Sequence, residues 1–180
     1  MSIDKKTEQA IEFLDALYRA DFNKIEKLVD SGICSFSRVT PVENWNWLHI
    51  SLMDFNKEMP PRESIEYLID KGVDVNAQDC YCMTPLHYAM RKKNVGAAMA
   101  LLEVGANPNA ANLKNIIPLA YINGQPEELD LLKLMLDKGG DVHFYNGYET
   151  ILEGVTEHSL TNDKLVPVLK TMQEHAENSK

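Results

Sequence analysis

Four stretches of the chain carry apolar residues at intervals of three and four, or in adjacent pairs at such intervals. They are Ile25, Leu28 and Val29; Ile65, Leu68 and Ile69; Met99, Leu101 and Leu102; and Leu131, Leu132, Met135 and Leu136. This spacing places the side chains of each set on one face of a helix. A glycine follows each stripe, at Gly32, Gly72, Gly105 and Gly139. Glycine just past the last turn is a natural left-handed helix terminator. The pattern therefore predicts a helix before each glycine and a turn after it.

The glycines also mark a repeat. Lys71-Gly72-Val73-Asp74-Val75-Asn76-Ala77 aligns with Val104-Gly105-Ala106-Asn107-Pro108-Asn109-Ala110 at a shift of 33 residues. At the same shift Pro85-Leu86 meets Pro118-Leu119, Tyr88 meets Tyr121 and Leu101 meets Leu134. Lys138-Gly139-Gly140-Asp141-Val142-His143 is a third copy and Ser31-Gly32-Ile33 a weaker one. Five helix pairs are predicted, near 7–31, 46–71, 84–104, 117–138 and 150–175, with turns in 32–45, 72–83, 105–116 and 139–149. The period slips twice. Leu48 and Leu86 stand 38 residues apart, and the surplus falls at Asn56-Lys57-Glu58-Met59-Pro60-Pro61-Arg62-Glu63. Two consecutive prolines cannot continue a helix, which predicts a longer loop there. A smaller slip lies at Asn123-Gly124-Gln125-Pro126-Glu127-Glu128. The polar tail from Glu174 to Lys180 is expected to fray.

Thr84-Pro85-Leu86-His87-Tyr88-Ala89 opens the middle helical stripe. Thr84 can cap the helix, and Pro85 suits the first helical position, where its missing N–H costs nothing. Leu86 and Ala89 begin the inward face, and His87 is expected to hydrogen-bond backbone or hydroxyl groups between adjacent units. The hexapeptide is the Thr-Pro-Leu-His-x-Ala signature of ankyrin repeats, and the chain resembles that family. Asn46-Trp47-Leu48-His49 keeps Leu-His, with Asn46 still able to cap; Ile117-Pro118-Leu119-Ala120 keeps Pro-Leu; Thr150-Ile151-Leu152 keeps Thr and Leu. The resemblance implies an all-α solenoid of helix-turn-helix units with short β-hairpin-like fingers. Its units would be 7–38, 39–76, 77–109, 110–143 and 144–175 within one domain over 1–180, degenerate at the ends where a solvated face is required.

Charge narrows the partner. The 18 basic and 27 acidic side chains give a net charge of −9, and a binder of nucleic-acid phosphates needs a basic face instead. No apolar run reaches the length of about 20 residues that spans a bilayer, so neither nucleic acid nor membrane is expected. The N-terminal segment lacks the apolar core of a secretory signal. Cys34, Cys80 and Cys82 are odd in number and do not suggest a disulfide framework, so cytoplasmic residence is the expectation. Cys80-Tyr81-Cys82 has one residue between its thiols where zinc sites usually have two to four, and no second Cys/His pair accompanies it. No phosphate-loop, nucleophile-elbow or His-Glu-x-x-His motif occurs. Neither enzymatic activity nor a metal or other cofactor is expected.

The resemblance instead implies partner contacts at positions the repeat does not need for folding. In the first finger these are Val42, Glu43 and Trp45; in the second, Cys80, Tyr81 and Met83, joined by Arg91 and Lys92 at the end of the following helix. The third finger supplies Leu113, Lys114 and Ile116, and the last Asn146, Tyr148 and Glu149. Aromatic residues and Met at such sites suit an interface core. Trp47, at the signature's proline position, is read as core instead. The cluster Arg91-Lys92-Lys93 fits either an acidic patch on a partner or a solvated helix end. The expected partner is another protein, with the chain monomeric when free. A stand-alone immunity protein or antitoxin restraining a basic toxin is one alternative; a small-ligand, thiol or metal protein using the Cys80-Tyr81-Cys82 finger is another.

Overall fold

The predicted helix pairs are all present. A computed structural model describes residues 5–53 and 58–178. It places α1 (Lys5–Tyr18), α2 (Phe22–Asp30), α3 (Trp47–Ser51), α4 (Arg62–Asp70), α5 (Pro85–Lys92) and α6 (Val95–Glu103) in the first three pairs. A 3₁₀ segment, Pro118–Gly124, pairs with α7 (Leu129–Asp137). Helices α8 (Ile151–Ser159) and α9 (Val166–Asn178) complete the set, joined through a 3₁₀ turn at Asp163–Leu165.

The pairs stack into two rows. Helices α1, α3 and α5, the segment 118–124 and α8 touch in sequence along one row, while α4, α6, α7 and α9 touch in sequence along the other. Between the rows runs one apolar core, from Phe13 and Trp47 at one end to Val168 and Met172 at the other. Trp47 is fully buried, stacks on Phe13 at 4.0 Å and donates its indole N–H to the Ser35 carbonyl at 2.8 Å. Ala97, Ala98 and Ala100 are buried in α6, where small side chains permit close approach of α4 and α5.

Asparagines tie the turns of successive units together. The Asn76 side chain donates to the Gly105 carbonyl at 3.1 Å and accepts from the Asn107 N–H at 2.8 Å. One unit later Asn109 does the same with the Gly139 carbonyl at 2.7 Å and the Asp141 N–H at 2.8 Å. The repeat is thus written into polar contacts as well as the core.

Three details depart from expectation. The inner element of the fourth pair is 3₁₀ because Ile117 stands at its cap with no side-chain acceptor, and neither Thr nor His of the signature is present. In the period slip, Asn56 and Lys57 lie outside the described residues; Glu58–Pro61 are non-helical, but Arg62 and Glu63 already belong to α4. That loop is pinned at the Pro60 carbonyl, which accepts from the Asn94 amide at 3.1 Å while the Asn94 Oδ1 caps α6. The tail does not fray over Glu174–Asn178: these residues extend α9, anchored by buried Met172 and by Ala176 against the core. Ser179 and Lys180 lie outside the described residues.

The fingers are tight turns more than strands. Among the described residues, strand pairing is limited to an isolated bridge between Tyr145 and Thr150. Asn44, Cys82 and Asn115 occupy the same place in their fingers and all take left-handed backbone, with φ of 61°, 56° and 55°. Asparagine takes that conformation at lower cost than cysteine does. Cys82→Asn is therefore expected to raise stability by about 0.5–1 kcal/mol, or about 1–4 °C in melting temperature. A calorimetric melt checks this; an unchanged or lower midpoint would mean that the thiol supplies packing equal to the backbone strain.

Candidate functional site

Each finger is shaped by one side-chain acceptor at its base. Asp79 Oδ1 accepts the backbone N–H groups of Tyr81 and Met83, both at 2.8 Å. Asn112 Oδ1 takes the N–H groups of Lys114 at 2.9 Å and Ile116 at 3.1 Å, and Asn146 Oδ1 those of Tyr148 at 2.9 Å and Glu149 at 3.2 Å. In the first finger Thr40 Oγ1 accepts from the Trp45 N–H at 3.0 Å. A side chain that hydrogen-bonds its own backbone two residues on fixes a turn locally. Backbone bonds then join neighbouring fingers: Cys80 N–H to the Glu43 carbonyl at 2.9 Å, and Leu113 N–H to the Tyr81 carbonyl at 3.0 Å.

The fingers are also held from below by two buried histidines. Nδ1 of His87 accepts the Thr84 N–H at 3.0 Å, and Nε2 lies 3.1 Å from the Ile116 carbonyl of the next finger. His49 repeats the arrangement, with the Asn46 N–H at 3.3 Å and the Met83 carbonyl at 3.0 Å. A carbonyl needs a donor, so Nε2 of each ring carries a proton, and in His87 the Nδ1 lone pair takes the Thr84 N–H. Burial holds both imidazoles below their ordinary pKa, outweighing the raising effect of the carbonyl bonds. The bracing role expected of His87 is what the geometry shows.

Asp79 has a second task. Its Oδ2 accepts the Tyr88 hydroxyl at 2.6 Å and the Trp45 indole N–H at 3.3 Å. Burial, with this bond to Asp79 next, raises the Tyr88 phenol well above its ordinary pKa.

The residues read from the sequence fall into four groups. Tyr81, Leu113 and Tyr148 stand out from their fingers with 58%, 68% and 93% of their surface exposed, and Val42 with 75%. Cys80, Arg91 and Lys114 are exposed as well. Glu43, Lys92, Ile116, Asn146 and Glu149 are half-buried. Met83 is only 7% exposed and belongs to the core, so its side chain offers a partner little more than a floor. Trp45 is half-buried, with its indole N–H committed to Asp79; its ring borders a groove of about 600 Å³ between α1 and the first finger, with Ile11, Leu14, Tyr18, Arg38 and Ile50.

A second groove, of about 610 Å³, lies between the two central fingers. Tyr81, Arg91, Leu113, Lys114, Ile116 and Tyr121 form its walls over Met83. The Arg91 guanidinium sits 5.7 Å above the Tyr88 ring, and its Nη1 lies 3.6 Å from Met83 Sδ. Six of the sequence-derived positions therefore meet here, whereas those of the first and last fingers lie elsewhere along the row. Sequence reasoning missed Asp79, Asn112, Tyr121 and the α1 side of the first groove. An Asp or Asn at the base of the last three fingers recurs with the repeat, at 79, 112 and 146, and was the available signal.

Among the described residues no three His, Cys, Asp or Glu side chains converge as a metal site would require. Among the same residues no helix is long and apolar enough to cross a membrane.

The family model for ankyrin repeats, in three copies, matches residues 10–112, more than half of the chain. An ankyrin repeat protein of Fowlpox virus (strain NVSL), FPV244, is 36% identical over 78 residues, which cover 43% of this chain and 12% of that protein. One from Rickettsia bellii (strain RML369-C) is 38% identical over 80 residues, 42% of this chain and 23% of that protein. The ankyrin repeat protein R664 of Acanthamoeba polyphaga mimivirus is 39% identical over 91 residues, 49% of this chain and 56% of that protein. The chain thus matches an eighth to just over half of the length of these relatives. Stacked helix pairs, histidine-braced fingers and these matches agree: the chain belongs to the ankyrin repeat family, whose members generally act as protein–protein interaction modules.

Proposed function

We propose that this chain is a non-enzymatic binding module that docks a folded protein partner on its finger row and the adjoining inner helices. The observation that carries the reading is the set of large exposed apolar side chains at the finger tips: Val42, Tyr81, Leu113 and Tyr148. None of the four is needed by the turns that present them, which are fixed from Thr40, Asp79, Asn112 and Asn146. Fingers so fixed lose little freedom on binding, which favours rigid docking. Three free cysteines suit a reducing compartment such as the cytoplasm.

The partner is best sought by capture from native lysate, using the chain and a Tyr81→Ala/Leu113→Ala variant in parallel. Exposed side chains at an interface centre contribute most of the affinity, so the variant should bind about tenfold more weakly or worse, with an unchanged melt. Equal affinity for both would reject this face. If the captured partner is an enzyme, its activity with and without the chain separates an inhibitor, such as an immunity protein, from a scaffold.

The net charge of −9 on its own favours a basic partner such as a toxin. Contact chemistry is set more locally, by the charges that line the docking face itself, because at physiological salt charges further apart than about 8 Å are largely screened.

A further inference from the structure

The groove between the two central fingers runs against the charge of the protein. Among the described residues its walls carry two cations, Arg91 and Lys114, and no carboxylate. Among the described residues neither cation has a carboxylate partner. Asp79, the carboxylate behind this wall, is buried and already accepts from four donors. Between the cations the surface is apolar and aromatic, from Tyr81, Leu113, Ile116 and Tyr121.

We propose that this groove receives a carboxylate side chain on an extended segment of the partner protein, flanked there by apolar residues. The proposal rests on the finger row being the docking face and specifies what that face reads. Arg91 offers a planar fork suited to a carboxylate, and its stack over Tyr88 fixes the fork before binding. Lys114 provides a second charge from the facing finger, while the apolar wall takes the neighbouring side chains.

The surroundings limit the length of the acidic stretch. The flanking fingers carry Glu43 on one side and Glu149 on the other, both part-exposed. A long polyanion would meet these carboxylates as soon as it left the groove, so a run of phosphates or a poly-acidic tail fits poorly. One or two carboxylates with neutral or basic ends fit well. The half-buried Tyr121, whose phenol burial raises above its ordinary pKa, stays neutral and adds no competing negative charge.

Selection of random twelve-residue peptides displayed on phage against the full chain tests this directly. Enriched peptides are expected to carry Asp or Glu beside aromatic or aliphatic residues. As synthetic fluorescent peptides they should bind at least tenfold more weakly to an Arg91→Gln/Lys114→Gln variant, and more weakly at raised salt. Both side chains are exposed, so the variant should keep the parent's melt. Enriched peptides without an acidic residue, or acidic ones that bind the variant as well as the parent, would overturn the proposal. So would a selection that enriches nothing. Peptides that depend on Tyr81 and Leu113 but not on Arg91 and Lys114 would remove this inference alone. Peptides indifferent to all four positions would remove the finger-row reading with it.

Discussion

Asp79→Ala is expected to lower stability by about 3–4 kcal/mol. The carboxylate is 4% exposed and accepts from two backbone N–H groups, a phenol and an indole. Hydrogen bonds to a charged group contribute about 1.5–3 kcal/mol each, and a buried donor left without an acceptor costs about 1–3. These effects do not add, and removing an unpaired buried charge returns part of its desolvation cost, which sets the net well below the sum. Asp79→Asn should cost less, about 1–2 kcal/mol. It keeps Oδ1 for the Tyr81 and Met83 N–H groups but turns an amide NH₂ towards the Tyr88 hydroxyl and the Trp45 indole. The other fingers support this split. Asn112 and Asn146 hold their turns with an amide oxygen alone, which takes two backbone N–H groups in each finger. Urea unfolding followed by tryptophan fluorescence would read both the stability and the release of Trp45. An Asp79→Ala chain within 1 kcal/mol of the parent would mean that the carboxylate does not organise the finger.

What the sequence disclosed and what it withheld follow one physical line. Helical stripes and terminal glycines are local signals, set by 3.6-residue periodicity and by left-handed backbone, so the helix before each of the four glycines and the turn after it could be placed from them. The hexapeptide signature with its remnants placed the later inner helices and the last pair. Trp47 could be assigned to the core because it replaces a residue whose place in the helix start is fixed. The fingers gave less. Whether Trp45 or Met83 faces solvent depends on how one finger lies against the next, through bonds such as Cys80 N–H to the Glu43 carbonyl. No periodicity along the chain encodes that contact. The central groove is a gap between two fingers, so Tyr121, contributed from a 3₁₀ segment beneath them, was invisible as a lining residue. The same holds for the first groove, where α1 carries no repeat signature and its outward Ile11 reads only as one more apolar helix residue.

His87→Ala is expected to cost about 3 kcal/mol at neutral pH and to change the pH dependence of folding. The cost has two sources: the space left by a fully buried ring, and the Thr84 N–H and Ile116 carbonyl left without their partner. The pH effect follows from the tautomer. Protonating Nδ1 would set one N–H against another, and burial already pushes the folded pKa below the ordinary value near 6.5. As pH falls through that value the unfolded chain takes up the proton and the folded chain resists. The contribution of His87 is therefore complete above about pH 6.5 and declines below it, at up to about 1.4 kcal/mol per pH unit. His49 is shifted in the same direction for the same reason and adds a parallel slope. The carboxylates held below their ordinary range, Glu26 and Glu153, lose their contribution only at lower pH, so the interval from pH 5 to 6.5 isolates the histidines. Urea unfolding at pH 7.5, 6.0 and 5.0 should show the parent losing stability faster than His87→Ala, with the two curves converging on acidification. Parallel curves would mean that His87 is protonated equally in both states, and that the brace between neighbouring fingers does not depend on a neutral imidazole.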